Sequence, residues 1–281
     1  MNLAKSTYYY KDKEKPMSIQ KKEADLRDRI EGIACEYSRY GYRRITAQLK
    51  REGYKINHKR VLRIMRESSL LCYIKKKWKR TTNSNHSYPS YPNLVKDLEI
   101  SNINQVWYAD ITYIRLLTDF VYLSILLDGY SRKIVGYALS KALDTSMVLS
   151  ALQMAISKRR PLPGCIHHSD QGIQYASLDY VKELNKNNFK ISMASKGNPY
   201  ENAYAESFIK TLKHEEVNLW DYRTIQDVAE RVPFFLQEVY NKKRLHSALG
   251  YQPPDEFESG LLKNKKIVCK KDLALCQTIT I

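Results

Sequence analysis

Three carboxylates in this chain sit in local frames that suit metal-assisted chemistry on phosphodiesters. They are Asp110 in Val106-Trp107-Tyr108-Ala109-Asp110-Ile111-Thr112-Tyr113, Asp170 in His167-His168-Ser169-Asp170-Gln171-Gly172-Ile173-Gln174-Tyr175, and Glu206 in Asn202-Ala203-Tyr204-Ala205-Glu206-Ser207-Phe208. Asp110 lies inside an apolar, strand-like run, where a charge needs a partner. Asp170 lies just past another such run, and Glu206 falls on a helical stretch, separated from Asp170 by 35 residues. Three oxygen ligands suit Mg²⁺ or Mn²⁺, which keep several waters and bind substrate phosphate. Two such ions about 3.5–4 Å apart activate an attacking oxygen and stabilise a leaving one in an in-line displacement at phosphorus. Plainer readings stand beside this one: Asp170 as a turn residue next to Gly172, and Glu206 as an ordinary helix acid.

The elements around the acids follow from apolar spacing. Runs at Val106–Leu116, Phe120–Leu127 and Lys133–Leu139, with turns at Thr118-Asp119 and Asp128-Gly129-Tyr130-Ser131, predict a three-strand antiparallel meander. A helix is expected over Thr145–Lys158, a strand over Cys165–His168, a helix over Ser177–Leu184 and a strand over Phe189–Met193. A long helix from Pro199 to Glu215 has Asn198 as its expected cap, and a last helix runs over Thr224–Lys242. That order is an α/β, ribonuclease H-like mixed sheet with helices on both faces. It sets Asp110 and Asp170 on neighbouring strands, with the Glu206 helix packed across them. On that helix Asn202, Glu206, Lys210 and Lys213 share a face. Lys210 and Lys213 are then phosphate contacts, or partners of the acid on an exposed helix.

The net charge is +17 and unevenly spread. Residues 1–100 hold 24 Lys and Arg against 11 Asp and Glu, and the other 181 residues hold 23 against 19. A basic first third fits a part that grips a polyanion while another part does chemistry. Within it, Leu26, Ile30 and Ile33 predict a helix over 22–37. Gly41 breaks the chain, Ile45 and Leu49 mark a second helix, Gly53 stops it, and Asn57 caps a third over His58–Glu67. That third helix turns Val61, Ile64 and Met65 inward and Lys59, Arg60, Arg63 and Arg66 outward. The pattern suits an all-α helix-turn-helix domain, with Arg43 and Arg44 as further DNA contacts; a small helical bundle with a charged surface reads similarly.

The expected organisation is a basic segment over 1–21, the helix-turn-helix over 22–73, a basic linker over 74–104, the catalytic core over 105–254 and a tail over 255–281. The linker run Lys75-Lys76-Lys77-Trp78-Lys79-Arg80 either tracks along phosphates, with Trp78 stacking on a base, or is a solvated tether. Tyr240-Asn241-Lys242-Lys243-Arg244-Leu245-His246-Ser247 is a second candidate phosphate contact, through Arg244. Five cysteines without paired CxxC spacing fit free thiols in a reducing cytoplasm, and no apolar run has the length of a membrane span.

From about Leu26 to Pro254 the chain resembles the OrfB-type transposases of a large bacterial insertion-sequence family, relatives of retroviral integrases in the DDE superfamily. The motifs are Trp107-x-x-Asp110-Ile-Thr, His168-Ser-Asp170-x-Gly172-x-Gln174-Tyr175, Asn202-x-x-x-Glu206-Ser-Phe, Lys213, and Tyr240-Asn241…Arg244-x-His246…Pro253. The resemblance implies that Asp110, Asp170 and Glu206 hold two Mg²⁺ or Mn²⁺ ions and that Lys213 touches terminal DNA. It implies a polynucleotidyl transferase and endonuclease that nicks the element's ends and joins the freed 3′-OH to another phosphodiester. Its implied partners are terminal-repeat and target DNA, further copies of the chain on that DNA, and an upstream-frame product, in some cases as a frameshift fusion. Two other functions fit the residues: a DNA-binding accessory or repressor protein with an idle core, and a ribonuclease H-type nuclease that cuts without joining.

Overall fold

Apolar residues recur at helical spacing through the first third of the chain and as short β-branched runs after residue 105, and the architecture follows that change. The computed structural model describes residues 16–72, 89–195 and 199–263. The chain divides into two compact units, Met1–Lys75 and Lys76–Ile281.

The first unit is helical. Helix α1 (Met17–Glu36) buries Leu26, Ile30 and Ile33. It opens directly after Pro16, earlier than the apolar spacing marks, because its first turns, Met17 and Ile19 included, are exposed and bury nothing. Helix α2 (Tyr42–Arg51) buries Ile45, Thr46 and Leu49. It ends where Gly53 takes φ +91°, with Tyr54 N–H donating to Leu49 O at 2.9 Å and Gly53 N–H to Lys50 O at 3.1 Å. Those bonds satisfy the last carbonyls, and only glycine takes that backbone conformation without strain. Helix α3 (His58–Glu67) is capped by Asn57, whose side chain accepts from Lys59 N–H at 2.9 Å, and buries Val61, Ile64 and Met65. Each of these aliphatic side chains contributes about 1.5–3 kcal/mol when fully buried.

The second unit is built on five strands in the order β3-β2-β1-β4-β5: β1 (Val106–Arg115), β2 (Phe120–Asp128), β3 (Ile134–Ser140), β4 (Ile166–Ser169) and β5 (Lys190–Met193). The first three form the antiparallel meander, and β4 and β5 add in parallel. Helices α4 (Thr145–Arg159), α5 (Ile173–Ala176) and α6 (Leu178–Lys186) follow in sequence. They pack Val148, Leu152, Tyr175 and Tyr180 against Trp107, Ala109 and Leu126 on one face. At Gly136 of β3 a side chain would collide with the Ala151 carbonyl of α4, so glycine lets that helix lie close. The other face takes α7 (Ala203–Glu215) and α8 (Ile225–Phe234), through Phe208, Leu212, Val228 and Val232 against Tyr108, Ile114 and Ile125. This mixed sheet, covered on both sides, has the ribonuclease H-like order.

Four features differ from the sequence expectation. The long helix opens with a 3₁₀ turn, Pro199–Asn202, before α7 proper, and the expected cap Asn198 lies outside the described residues. The last helix contains Pro233 and continues as a π-helical stretch, Phe235–Asn241; proline removes an i→i−4 bond, and a wider turn accommodates the break. The second half of the expected linker packs on the core: Leu94 N–H donates to Ser192 Oγ at 2.9 Å, and Val95, Leu98 and Ile100 join the α7 side. Lys75–Arg80, with Trp78, fall outside the described residues. The expected tail begins as helix over 254–263, where Glu258 is buried and accepts from Arg159 at 2.7 and 2.8 Å.

Candidate active site

Strand register places the first two acids. Strands β1 and β4 run parallel with Val106 opposite Ile166, Trp107 opposite His167 and Tyr108 opposite His168. Asp110 and Asp170 each lie two residues beyond the last of those pairs, Asp170 just past the end of β4, so both stand at the same end of adjacent strands. Both are partly exposed at this end of the sheet. Asp110 Oδ1 accepts from Ile111 N–H at 2.8 Å, and Asp170 Oδ1 from Gly172 N–H at 3.0 Å. A Cβ at position 172 would lie 3.0 Å from that Asp170 oxygen, so glycine lets the turn fold tightly around the acid.

The third acid is set by a pin and a stack. Asn202, 5% exposed, donates from Nδ2 to the Ala109 carbonyl at 3.1 Å and ties the start of α7 beside Asp110. Tyr204 stacks on Tyr108 with centroids 4.7 Å apart and planes 11° from parallel, and Tyr108 meets the His168 ring edge-on at 5.4 Å. Each ring precedes an acid by two residues: Tyr108 before Asp110, His168 before Asp170, Tyr204 before Glu206. On a strand, residues two apart share a face, so one aromatic layer underlies both aspartates and reaches α7. Arg132 Cζ lies 3.6 Å from the Tyr204 centroid and covers the stack. Burial lowers the His168 pKa to about 4, leaving the ring neutral, with Nδ1 2.8 Å from Ser192 Oγ.

Charge at the site is unbalanced. Burial and then the Asp170 charge, with a smaller push from Glu206, raise the Asp110 pKa to about 8 against the opposing Ile111 N–H and Lys213. Glu206 is also raised by burial, opposed by Lys210. Lys213 is lowered by burial and supported by the Asp110 charge; its Nζ lies 4.7 Å from the Tyr113 ring centroid. The three acids and Lys213 therefore share one electrostatic neighbourhood. Among the described residues, no three His, Cys, Asp or Glu side chains are gathered closely enough to form a ready cation cage. Carboxylates facing one another without a counter-charge repel. The donor set fits a hard divalent cation: oxygen ligands only and like-charged, with Asp110 raised in pKa by burial and by the other two acids.

The expected DNA contacts divide. Lys59, Arg60 and Arg63 are exposed on α3. Arg60 and Arg63 also reach Glu23 of α1 at 3.9 and 3.1 Å, so part of that basic face is tied within the unit. Arg43 is exposed beside the Tyr42 ring, and Arg44 is half-buried over Tyr40. Lys210 is exposed one turn beyond Glu206. Arg244 departs from expectation: it is 3% exposed and grips Glu215 at 2.6 and 2.7 Å, a two-pronged bond that locks the end of α7. Its neighbour Asn241 pairs with the Ile134 backbone at 2.9 and 3.0 Å. Arg244 and Asn241 are architecture, because their polar groups face inward, while Lys242 and Lys243 beside them are exposed. Sequence reasoning passed over Tyr204 and Tyr108; their common two-residue lead on the acids was the available signal.

Comparison with known proteins agrees with this picture. The family described as Integrase core domain matches residues 101–199, a second Integrase core domain family matches 187–254, and an HTH-like domain family matches 20–78. The chain is 35% identical over 260 residues to the insertion element IS600 uncharacterized 31 kDa protein of Shigella sonnei, covering 91% of this chain and 94% of that one. It is 35% identical over 246 residues to the transposase for insertion sequence element IS904 of Lactococcus lactis, covering 87% and 97%. It is 34% identical over 222 residues to the transposase InsF for insertion sequence IS3A of Escherichia coli, covering 79% and 77%. Among solved structures, the HTLV-2 integrase catalytic core domain in complex with magnesium aligns with a TM-score of 0.43 at 14% identity, over 55% of this chain and 95% of that one. The chain belongs to the insertion-sequence transposases built on an integrase core domain.

Proposed function

We propose that this chain cuts DNA at the ends of its own insertion sequence and joins the freed 3′-OH to another phosphodiester, using Asp110, Asp170 and Glu206 to hold Mg²⁺ or Mn²⁺. The observation that carries this reading is the position of Asp110 and Asp170 two residues beyond the last β1–β4 pair, Tyr108–His168, together with the rise of the Asp110 pKa by burial and by the charges of Asp170 and Glu206. A bound divalent ion supplies Lewis-acid polarisation of the phosphoryl oxygens and lowers the pKa of the attacking hydroxyl or water.

The protein's own groups do the rest. Asp110, on β1, and Asp170, just past the end of β4, fix one side of the reacting phosphate from the same end of the sheet. Glu206 approaches from α7, whose start is pinned by Asn202 and underlain by Tyr204. Lys213 offers an ammonium to a phosphate oxygen on the same side as the acids. The exposed Lys59, Arg60 and Arg63 of α3, with Arg43, supply charge for the DNA backbone. We further propose that the working form is an oligomer on DNA and that an upstream-frame product takes part. Among the described residues no helix is long and apolar enough to cross a membrane.

The test is nicking and strand transfer on DNA bearing the element's ends. Asp110→Asn abolishes both and leaves DNA affinity near that of the unaltered chain. Retained nicking contradicts the assignment, cutting without joining favours a nuclease, and binding without cutting by the unaltered chain favours an accessory or repressor protein.

A further inference from the structure

Beyond the acids, β1 keeps going after its neighbour stops. Parallel pairing with β4 ends at Tyr108–His168, whereas pairing with β2 runs from Trp107–Asp128 to Arg115–Phe120. The β1–β2 hairpin therefore continues past the carboxylates as an arm, with β3 still paired to β2 as far as Tyr122–Ser140, and only its last residues, Ile114–Arg115 and Phe120–Val121, form a two-stranded tip. The side of β1 beyond Tyr108 has no strand partner among the described residues.

The arm is aromatic where a soluble hairpin is ordinarily polar. Tyr113 pairs with Tyr122 and Arg115 with Phe120, so Tyr113 and Phe120 are diagonal neighbours on one face. Their rings meet at 5.5 Å with planes 86° apart. Phe120 is 41% exposed and Leu117, in the turn, 66% exposed. Arg115 is exposed next to them. Lys213 reaches this arm from α7, its Nζ 4.7 Å from the Tyr113 centroid. Tyr113 and Phe120 lie on the sheet face opposite Asp110, and Lys213, in the field of Asp110, reaches round to the Tyr113 ring. An ammonium held on an aromatic face beside an exposed second ring matches the two things an unpaired nucleotide offers a protein: a phosphate for the cation and a flat base for the ring.

We propose that the projecting arm carries a nucleobase-stacking subsite, in which Phe120, backed by Tyr113, takes an unpaired base of the DNA strand whose phosphate lies at Lys213. The subsite rests on the reading of the acids as the cutting centre, since it assigns the base to the strand held there. Stacking on a ring is tolerant of sequence, because every base has a π-face. The arm thereby favours a strand already separated from its complement and lends little to binding of intact duplex.

The test uses the full chain carrying Asp110→Asn, titrated with a forked oligonucleotide that has 2-aminopurine at its first unpaired position. Binding quenches the probe by stacking. Adding Phe120→Ala abolishes the quench and weakens fork binding by about 5- to 150-fold, the range that base–aromatic stacking represents. Affinity for fully paired duplex, and the dependence of fork binding on salt, stay unchanged because the phosphate-binding cations are untouched. Phe120→Leu, which keeps an apolar side chain in the hairpin, loses the quench in the same way, and Phe120→Trp restores it. An unchanged quench in Phe120→Ala and Phe120→Leu overturns the subsite. So does a Phe120→Ala change in oligomeric state with fork binding intact, which would assign this face to a second copy of the chain. Quenching by the Asp110→Asn chain alongside an unaltered chain that fails to nick with Mg²⁺ would sink the catalytic reading and leave the subsite standing.

Discussion

Two groups of carboxylates lie against the same sheet and differ in their surroundings. Near the start of β1, Asp128 is fully buried, yet it accepts N–H groups from Asn104 at 2.6 Å, Tyr130 at 3.0 Å and Ser131 at 2.9 Å and lies 3.7 Å from Arg159. Arg159 in turn clasps Glu258, which also takes Lys133 at 3.4 Å. Further along β1, Asp110 receives one backbone N–H and faces two further acids. The first group is a finished network in which every charge has an opposite. The second sets three acids against Lys210 and Lys213, and perturbed carboxylates of this kind cluster at functional sites. The difference separates charge that holds the fold from charge that we propose does chemistry.

Breaking each group gives contrary results. The largest expected effect is on activity: Asp110→Asn abolishes nicking while leaving the melting temperature unchanged or higher, because it removes like-charge repulsion; calorimetry and a nicking assay on one preparation check both. Arg159→Met, by contrast, leaves Asp128 and Glu258 buried without their cation and lowers stability by about 3–5 kcal/mol, read from urea unfolding.

Tyr204→Ala sharpens the comparison by removing the ring that stacks the start of α7 on Tyr108, without touching an acid. It lowers nicking by about 10- to 100-fold, the cost of removing a supporting group around metal ligands, with DNA affinity unchanged; Tyr204→Phe restores activity, and an equal drop in Tyr204→Phe would contradict a stacking role. A smaller effect concerns acid. The Arg159 guanidinium holds the Glu258 pKa below its ordinary value despite burial. The folded state therefore binds that proton less readily than the unfolded chain does, and the associated stability is present above about pH 4.3 and lost as pH falls below it. Glu258→Gln flattens that acid limb of melting temperature against pH. The smallest effect is on DNA affinity. Replacing Lys59, Arg60 or Arg63 singly by Ala makes the slope of log affinity against log salt shallower by about 0.9 for each phosphate that is no longer neutralised, because each side chain supplies one charge of several.

The two acids on strands were legible because their signal is local: a charge in a β-branched run, and a second after another run, with the order of elements fixing their neighbours. The helix caps at Asn57 and Gly53 were legible for the same reason. Arg244 was not, since its partner Glu215 is 29 residues away and nothing in the local pattern distinguishes an inward guanidinium from one facing phosphate. The packing of Leu94 on Ser192 and the burial of Glu258 against Arg159 escaped notice likewise: both join residues across long stretches of chain. The π-helical stretch after Pro233 had a visible cause, but proline alone does not say whether a helix ends or widens. Register, by contrast, could be inferred only once β1 and β4 were known to pair.

The most direct measurement counts bound Mn²⁺ by electron paramagnetic resonance in the full chain held on end DNA, with and without Asp110→Asn. About two ions per chain are expected, as in two-metal phosphoryl transfer, and fewer after the substitution. No bound Mn²⁺ in the unaltered chain, or an equal number in both, would contradict the claim that these acids form a metal centre.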